Sequence, residues 1–228
     1  MPLILAIETA TKLCSVAVAR DGRVLALREV ESQRHEHAEK VNVFIAEVLA
    51  EAGLSLKDLD AVAVGIGPGS YTGLRIGLSA AKGLCYALEV PLIGLSTLGT
   101  LARAAIDAAN TPVATVQPMV DARRMEVFTG TYDASGHALG DHHPLVLDEA
   151  WAQQAKGRLV CGDGADKAAA LWEAAPELIH LPGIRPTAVA MFTEAERRMT
   201  EGKFDDLAYL VPDYGKGANV TQPKKGGA

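Results

Sequence analysis

Apolar positions in this chain fall into short runs separated by polar turns. Leu3-Ile4-Leu5-Ala6-Ile7 is the first run, and Glu8-Thr9-Ala10-Thr11-Lys12 interrupts it. Cys14-Ser15-Val16-Ala17-Val18-Ala19 follows, and Asp21-Gly22 separates it from Val24-Leu25-Ala26-Leu27. Asp-Gly between apolar runs is a strong hairpin signal, so three consecutive strands are predicted. Over residues 36–52 the period changes: Ala38, Val41, Ile45, Val48, Leu49 and Ala52 recur at helical spacing, and Gly53 stops the helix. A strand is predicted over 61–66. The run from Gly65 to Gly77 then makes a glycine-rich turn into a helix reaching about Leu88. Pro91-Leu92-Ile93-Gly94-Leu95 reads as a further strand, and Ser96 N-caps a helix running to about Ala109.

The second half repeats this order. Val113 to Val120 is a strand ending at Asp121-Ala122-Arg123-Arg124, and Glu126 to Tyr132 returns as a second. A turn at Asp133 to Gly136 leads to a third strand ending near Leu145-Val146-Leu147, and a helix begins near Asp148. Arg158-Leu159-Val160-Cys161 is a strand, and Gly162-Asp163-Gly164-Ala165 opens another helix. Three strands, helix, strand and helix thus occur twice, about 110 residues apart. Two copies of such a unit build the actin, Hsp70 and sugar-kinase-like fold (ASKHA, RNase H-like). An α/β architecture of two similar subdomains is expected, over residues 1–109 and 110–214, with 215–228 as a mobile tail. A last helix over roughly 186–201 is expected to pack back across the halves.

Composition narrows the classes. The chain is 49% hydrophobic but only 5% aromatic, so its core must be aliphatic and alanine-rich. A net charge of −6 gives no overall attraction to nucleic acid. A polyanion would have to be brought by a partner or met by a local patch. No run of 18 apolar residues exists, so no membrane span is expected. The N-terminus has no basic segment and reads as a strand, not a signal peptide. Cys14, Cys85 and Cys161 are odd in number and widely spaced. Buried, reduced thiols in a cytoplasmic protein are expected.

Several motifs invite chemistry. A strand, a glycine-rich turn and a helix N-terminus suggest a phosphate cradle. The spacing resists it: G-x-G-x-x-G meets Ser70 counted from Gly65 and Thr72 counted from Gly67, and no Gly-Lys-Ser/Thr closes a Walker loop. Ser70 is better explained as an N-cap than as a nucleophile. Kinases of this fold bind ATP between subdomains, above hairpin turns carrying acidic residues. Glu8 and Asp121 stand at those places, but the first turn lacks glycine and the second carries arginines, so ordinary hairpin ends are preferred. His35-Glu36-His37 fails the H-E-x-x-H spacing, and His142-His143 lies in a loop, so solvated histidines are preferred. Gly162-Asp163-Gly164 is read as a turn and N-cap rather than a second phosphate loop. Gly73, Gly77 and Ala81 form a stripe of small residues on one helix face. Either the chain's own sheet or another protein approaches closely there. Val43, Phe44, Ala46 and Ala50 fall outside the core stripe of the 36–52 helix and favour the second reading.

Leu5-Ala6-Ile7-Glu8-Thr9-Ala10, His37-Ala38-Glu39-Lys40, the run from Gly67 to Gly77, and Asp121-Ala122-Arg123-Arg124-Met125-Glu126-Val127-Phe128 occur in this order. Together they resemble the TsaB (YeaZ) family of bacterial tRNA threonylcarbamoyladenosine-biosynthesis proteins. The resemblance implies the duplicated ASKHA fold without catalysis by this chain. It implies a scaffold or activator that binds a TsaD-like subunit, which transfers threonylcarbamoyl to adenosine 37 of ANN-decoding tRNAs. A TsaE-like ATPase joins the assembly, and a homodimer forms when TsaD is absent. Contact with tRNA is then indirect, and ATP or ADP is expected only in the assembled complex, with no tightly bound cofactor or metal on the isolated chain. Docking is implied through the helices at 36–52 and 72–88, with His37, Val41, Phe44, Gly69, Tyr71, Gly73, Leu74, Arg75, Gly77 and Ala81 assigned to the interface. The metal-binding His-x-x-x-His of TsaD-like proteins is incomplete here, since Val41 follows His37 by four. The alternative is an ATP-dependent phosphotransferase of the sugar-kinase class. A metallopeptidase is a third, weaker reading.

Overall fold

A computed structural model describes residues 2–31, 37–109 and 113–215. The first sheet contains β1 (Leu3–Glu8), β2 (Leu13–Arg20), β3 (Arg23–Glu31), β4 (Ala61–Gly67) and β5 (Leu92–Ser96). Its order is β3-β2-β1-β4-β5, antiparallel on the β3 side of β1 and parallel on the β4 side. The second sheet contains β6 (Thr115–Asp121), β7 (Glu126–Thr129), β8 (Tyr132–Asp133), β9 (His143–Val146), β10 (Leu159–Cys161) and β11 (Ile179–Leu181). Its order, β9-β7-β6-β10-β11, repeats that of the first sheet. The run 126–132, expected as one strand, is broken between β7 and β8. Their shared register along β6 places Gly130 opposite Pro118, which has no N–H to donate to the ladder.

The helices cover both faces of both sheets. α1 (His37–Glu51) and α2 (Tyr71–Leu88) bury Val41, Phe44, Ile45, Val48, Leu78 and Ala81 against Leu5, Ile7, Val16, Val62 and Val64. The opposite face of that sheet, Ile4, Ala6, Ala17 and Ala63, receives Phe192 and Ala195 of α7 (Phe192–Thr200). The helix expected from 186 begins with a 3-10 turn, Val189–Met191, before α7. α3 (Thr97–Ala108) follows the first sheet in sequence, yet its Leu98, Leu101 and Ala105 pack with Val116, Val120 and Phe128 of the second. α4 (Glu149–Gln154), α5 (Asp163–Asp166) and α6 (Ala169–Glu173) close the remaining face around Met119, Val127, Val160 and Trp172. The first half thus contributes a helix to the second core and receives one in return. The tail expected to be mobile lies, except for Gly215, outside the described residues. Among the described residues no helix is long and apolar enough to cross a membrane. Cys14, Cys85 and Cys161 are free and buried.

Candidate functional site

The glycine-rich turn is built from close approaches within this chain. Ser70 caps α2, its Oγ accepting the Gly73 N–H at 3.2 Å, while the Ser70 N–H donates to the Ala10 carbonyl at 2.7 Å. A Cβ on Gly69 would lie 2.8 Å from the Ala10 Cβ. On Gly65 it would overlap the Glu8 carboxylate, and on Gly77 the Thr9 hydroxyl. That hydroxyl donates to the Gly73 carbonyl at 2.8 Å, tying α2 to the end of β1. Gly67, at φ +115°, makes room for the Asp213 carbonyl. The turn is therefore filled by residues 8–10 on one side and the C-terminal segment on the other.

That segment, residues 203–215, runs back over the first half. Asp205 joins the edge of β5: its N–H donates to the Leu92 carbonyl at 2.9 Å and its carboxylate accepts the Gly94 N–H at 2.7 Å. Leu207 and Leu210 pack on the core beneath α1 and α2, and Lys82 of α2 donates to the Ala208 carbonyl at 3.3 Å. Asp213 N–H donates to the Ile66 carbonyl at 2.7 Å. Tyr214 stacks on Tyr71 with ring centroids 4.7 Å apart, and the Arg75 guanidinium donates to the Tyr71 hydroxyl at 2.8 Å. Gly215 sits between Pro68 of the first half and Phe128 of the second. His142 Nε2 meets the Asp213 carboxylate at 3.1 Å. His142 is thus not simply solvated: its carboxylate arrives from a distant segment, which local sequence could not reveal.

Both hairpin carboxylates are engaged by partners within the chain. Glu8 is completely buried and accepts the Ala10 N–H at 2.8 Å and the Thr97 hydroxyl at 3.2 Å. Burial pushes its carboxyl up to about 7, against these hydrogen bonds. Asp121 pairs with Lys167 and accepts the Arg123 N–H at 2.7 Å, closing a tight turn in which Arg123 and Arg124 have φ of +73° and +51°. Asp163 accepts the Asp121 N–H at 3.0 Å, and burial raises its pKa. Gly162 and Gly164 press on Met119, so their glycines serve packing rather than a phosphate. Among the described residues no group of three or more His, Cys, Asp and Glu could hold a metal ion. His35 and Glu36, and the side chain of His37, lie outside what is described.

The assigned interface residues separate by burial. Val41, Phe44, Gly73, Leu74, Gly77 and Ala81 are buried in this chain's own core, Gly69 is half-buried, and only Tyr71 and Arg75 are exposed. The stripe Gly73-Gly77-Ala81 therefore packs inward, against Thr9 and the sheet, which overturns the preference for another protein there. Phe44 also belongs to the core, while Val43, Ala46 and Ala50 are exposed on α1. A second row on α2 is the more open one. Ile76, Ala80, Gly83 and Ala87 recur at helical spacing on α2, with Gly83 and Ala87 exposed and Ile76 and Ala80 half-covered. A Cβ on Gly83 would meet nothing within 4 Å. Both stripes were visible in the sequence; only packing decides which faces outward.

The TsaD family model, tRNA N6-adenosine threonylcarbamoyltransferase, matches residues 27–155. The tRNA threonylcarbamoyladenosine biosynthesis protein TsaB of Escherichia coli is 34% identical over 226 residues, spanning 92% of this chain and 93% of that protein. The solved structure of YeaZ from Pseudomonas aeruginosa superposes with a TM-score of 0.77 at 28% identity, covering 94% of this chain and 100% of that one. An inorganic polyphosphate/ATP-glucomannokinase from Arthrobacter, at 13% identity and a TM-score of 0.50, covers 86% of this chain and 100% of its own. That likeness extends to the fold alone and agrees with the expected sugar-kinase-like architecture.

Proposed function

This chain belongs to the TsaB family of tRNA threonylcarbamoyladenosine biosynthesis proteins, and from that premise we propose that it is a non-catalytic subunit docking a TsaD-like catalytic partner through the outer face of α1 and α2. The observation that carries this reading is the half-open run of small residues Ala80, Gly83 and Ala87 beside exposed Val43, Ala46 and Ala50. Small residues let a partner helix approach closely, so dispersion contacts accumulate over a short distance. The reaction itself belongs to the partner. Here the one fully buried hairpin carboxylate is committed to internal hydrogen bonds, and the glycine turn is occupied by the chain itself. The same occupancy weighs against the sugar-kinase alternative. A TsaE-like ATPase, a homodimer in the absence of the partner, nucleotide only in the assembly and indirect contact with tRNA complete the proposal.

The experiment replaces an outward position that the fold does not need. Gly83→Leu places a side chain in open space and improves helix propensity, so the monomer should remain folded. Co-elution with the TsaD-like subunit should be lost, together with threonylcarbamoylation of tRNA by the reconstituted set. Full co-elution and full modification with Gly83→Leu would sink the docking claim.

A further inference from the structure

Four of the chain's five tyrosines stand on α2 or on the C-terminal segment that crosses it. On α2, Tyr71, Arg75, Lys82 and Tyr86 follow one another at intervals of four, seven and four, which puts them on one helix face. The C-terminal segment runs along that face: Tyr214 stacks on Tyr71, and the Ala208 carbonyl accepts from Lys82. Tyr86 and Tyr209, next to the two partners of that bond, are 80% and 82% exposed, and Val211 is 68% exposed. Gly83 stands three residues before Tyr86, so this strip borders the small row of the docking face. We infer that α2 and the C-terminal segment together extend the docking face and receive an acidic segment of the docked subunit. The inference rests on the docking reading above and adds to it a second chain segment and a charge.

Unpaired charge beside exposed aromatic surface carries the inference. α2 holds Arg75 and Lys82 and no carboxylate. Arg75 donates to the Tyr71 hydroxyl at 2.8 Å and Lys82 to the Ala208 carbonyl at 3.3 Å. Both acceptors are neutral, and neither cation meets a carboxylate among the described residues. The acids of the crossing segment are committed elsewhere. Asp205 holds Arg198 and the Gly94 N–H, Asp206 accepts the Ala208 and Tyr209 N–H groups, and Asp213 meets His142. In a chain of net charge −6, two cations free of acid on one helix face reverse the sign locally and complement a negative surface. Tyrosine covers a large contact area at the cost of two side-chain torsions, and tyrosine and arginine are enriched where interfaces hold most of their energy. Nucleic acid fits this strip less well. Tyr71 is stacked on Tyr214 with centroids 4.7 Å apart and has the Arg75 guanidinium 5.3 Å from its ring centre, so it is not an open platform for a base.

The test measures the affinity of the full chain for the TsaD-like subunit at low and at high salt. The double reversal Arg75→Glu with Lys82→Glu should weaken binding about tenfold or more and abolish its salt dependence. Arg75→Lys with Lys82→Arg keeps both charges and should bind as the parent does. Tyr86→Ser and Tyr209→Ser, at exposed positions, should each weaken binding about tenfold with Tm unchanged. These two variants test the strip even if the double reversal disturbs the helix. Parent-like affinity in the reversal and tyrosine variants, with binding lost in Gly83→Leu, overturns the inference and leaves the docking reading standing. Parent-like affinity in all of them, Gly83→Leu included, overturns both. Loss in the strip variants with parent-like affinity in Gly83→Leu upholds the strip and removes the small row from the interface. Saturable binding of a single-stranded RNA by the isolated chain, lost in the double reversal while affinity for the subunit is kept, assigns the strip to RNA and overturns the inference.

Discussion

Two glycines on one helix, six residues apart, should respond to the same methyl group in opposite directions. Gly77 and Gly83 both lie within α2. An alanine at either position gains helix propensity, roughly 0.5–1 kcal/mol. At Gly83 nothing offsets that gain, because the added Cβ meets no atom within 4 Å. At Gly77 the Cβ overlaps the Thr9 hydroxyl and comes within 3.5 Å of the Thr9 Cβ. Thr9 is completely buried and cannot swing into solvent. Relief requires breaking its 2.8 Å bond to the Gly73 carbonyl, about 1 kcal/mol, and shifting packed backbone, about 1–3 kcal/mol. Gly77→Ala should therefore lose about 1–3 kcal/mol while Gly83→Ala gains up to about 1. In a chain of this size each kcal/mol moves Tm by about 2–4 °C. Urea unfolding followed by circular dichroism, with unchanged m-values, measures both. Adding Thr9→Ala to Gly77→Ala should recover part of the loss by opening the space. If Gly77→Ala is as stable as Gly83→Ala, the inward packing of the first small stripe is wrong.

Two further outcomes follow from buried titratable groups. The Glu8 carboxyl titrates near 7 in the folded chain against 4.5 as its reference, so between those values the folded state holds a proton that the unfolded state has released. Stability is fully present below about 4.5, falls as pH rises through about 7, and the total loss is on the order of 3 kcal/mol. Glu8→Gln should remove that slope and gain on the parent as pH rises from 5 to 8; a pH-independent difference between them would refute the assignment. Burial also pushes the Cys14 and Cys85 thiols up to about 11 and raises Cys161 further. A neutral-pH thiol reagent should therefore label none of the three cysteines in the native chain and all three in denaturant; rapid native labelling would contradict the burial.

Local patterning carried most of the elements. Alternation and the Asp21-Gly22 turn specified the first hairpin, and helical spacing specified α1 and α2 within a residue or so. Ser70, Ser96 and Asp148 each accept a first-turn backbone N–H, as short polar residues before an apolar helix should. The repeated strand order was legible because each half carries the same succession of periods. The break between β7 and β8 was missed because its cause, Pro118, lies on the neighbouring strand.

The site was less legible, for a physical reason. Sequence alone determined the spacing of the glycines, and that spacing was enough to exclude the common nucleotide loops. It also displayed two rows of small residues on α2, Gly73-Gly77-Ala81 and Ala80-Gly83-Ala87, without distinguishing them. A glycine records only that something comes close; what comes close is fixed by the fold. Tertiary structure brought Thr9 to Gly77, Asp213 to Gly67 and Asp213 to His142. These are contacts between segments far apart in the chain, and the two made by Asp213 depend on where the C-terminal segment crosses the first sheet. Packing against the sheet assigned Gly73, Gly77 and Ala81 to the core and left Gly83 in open space.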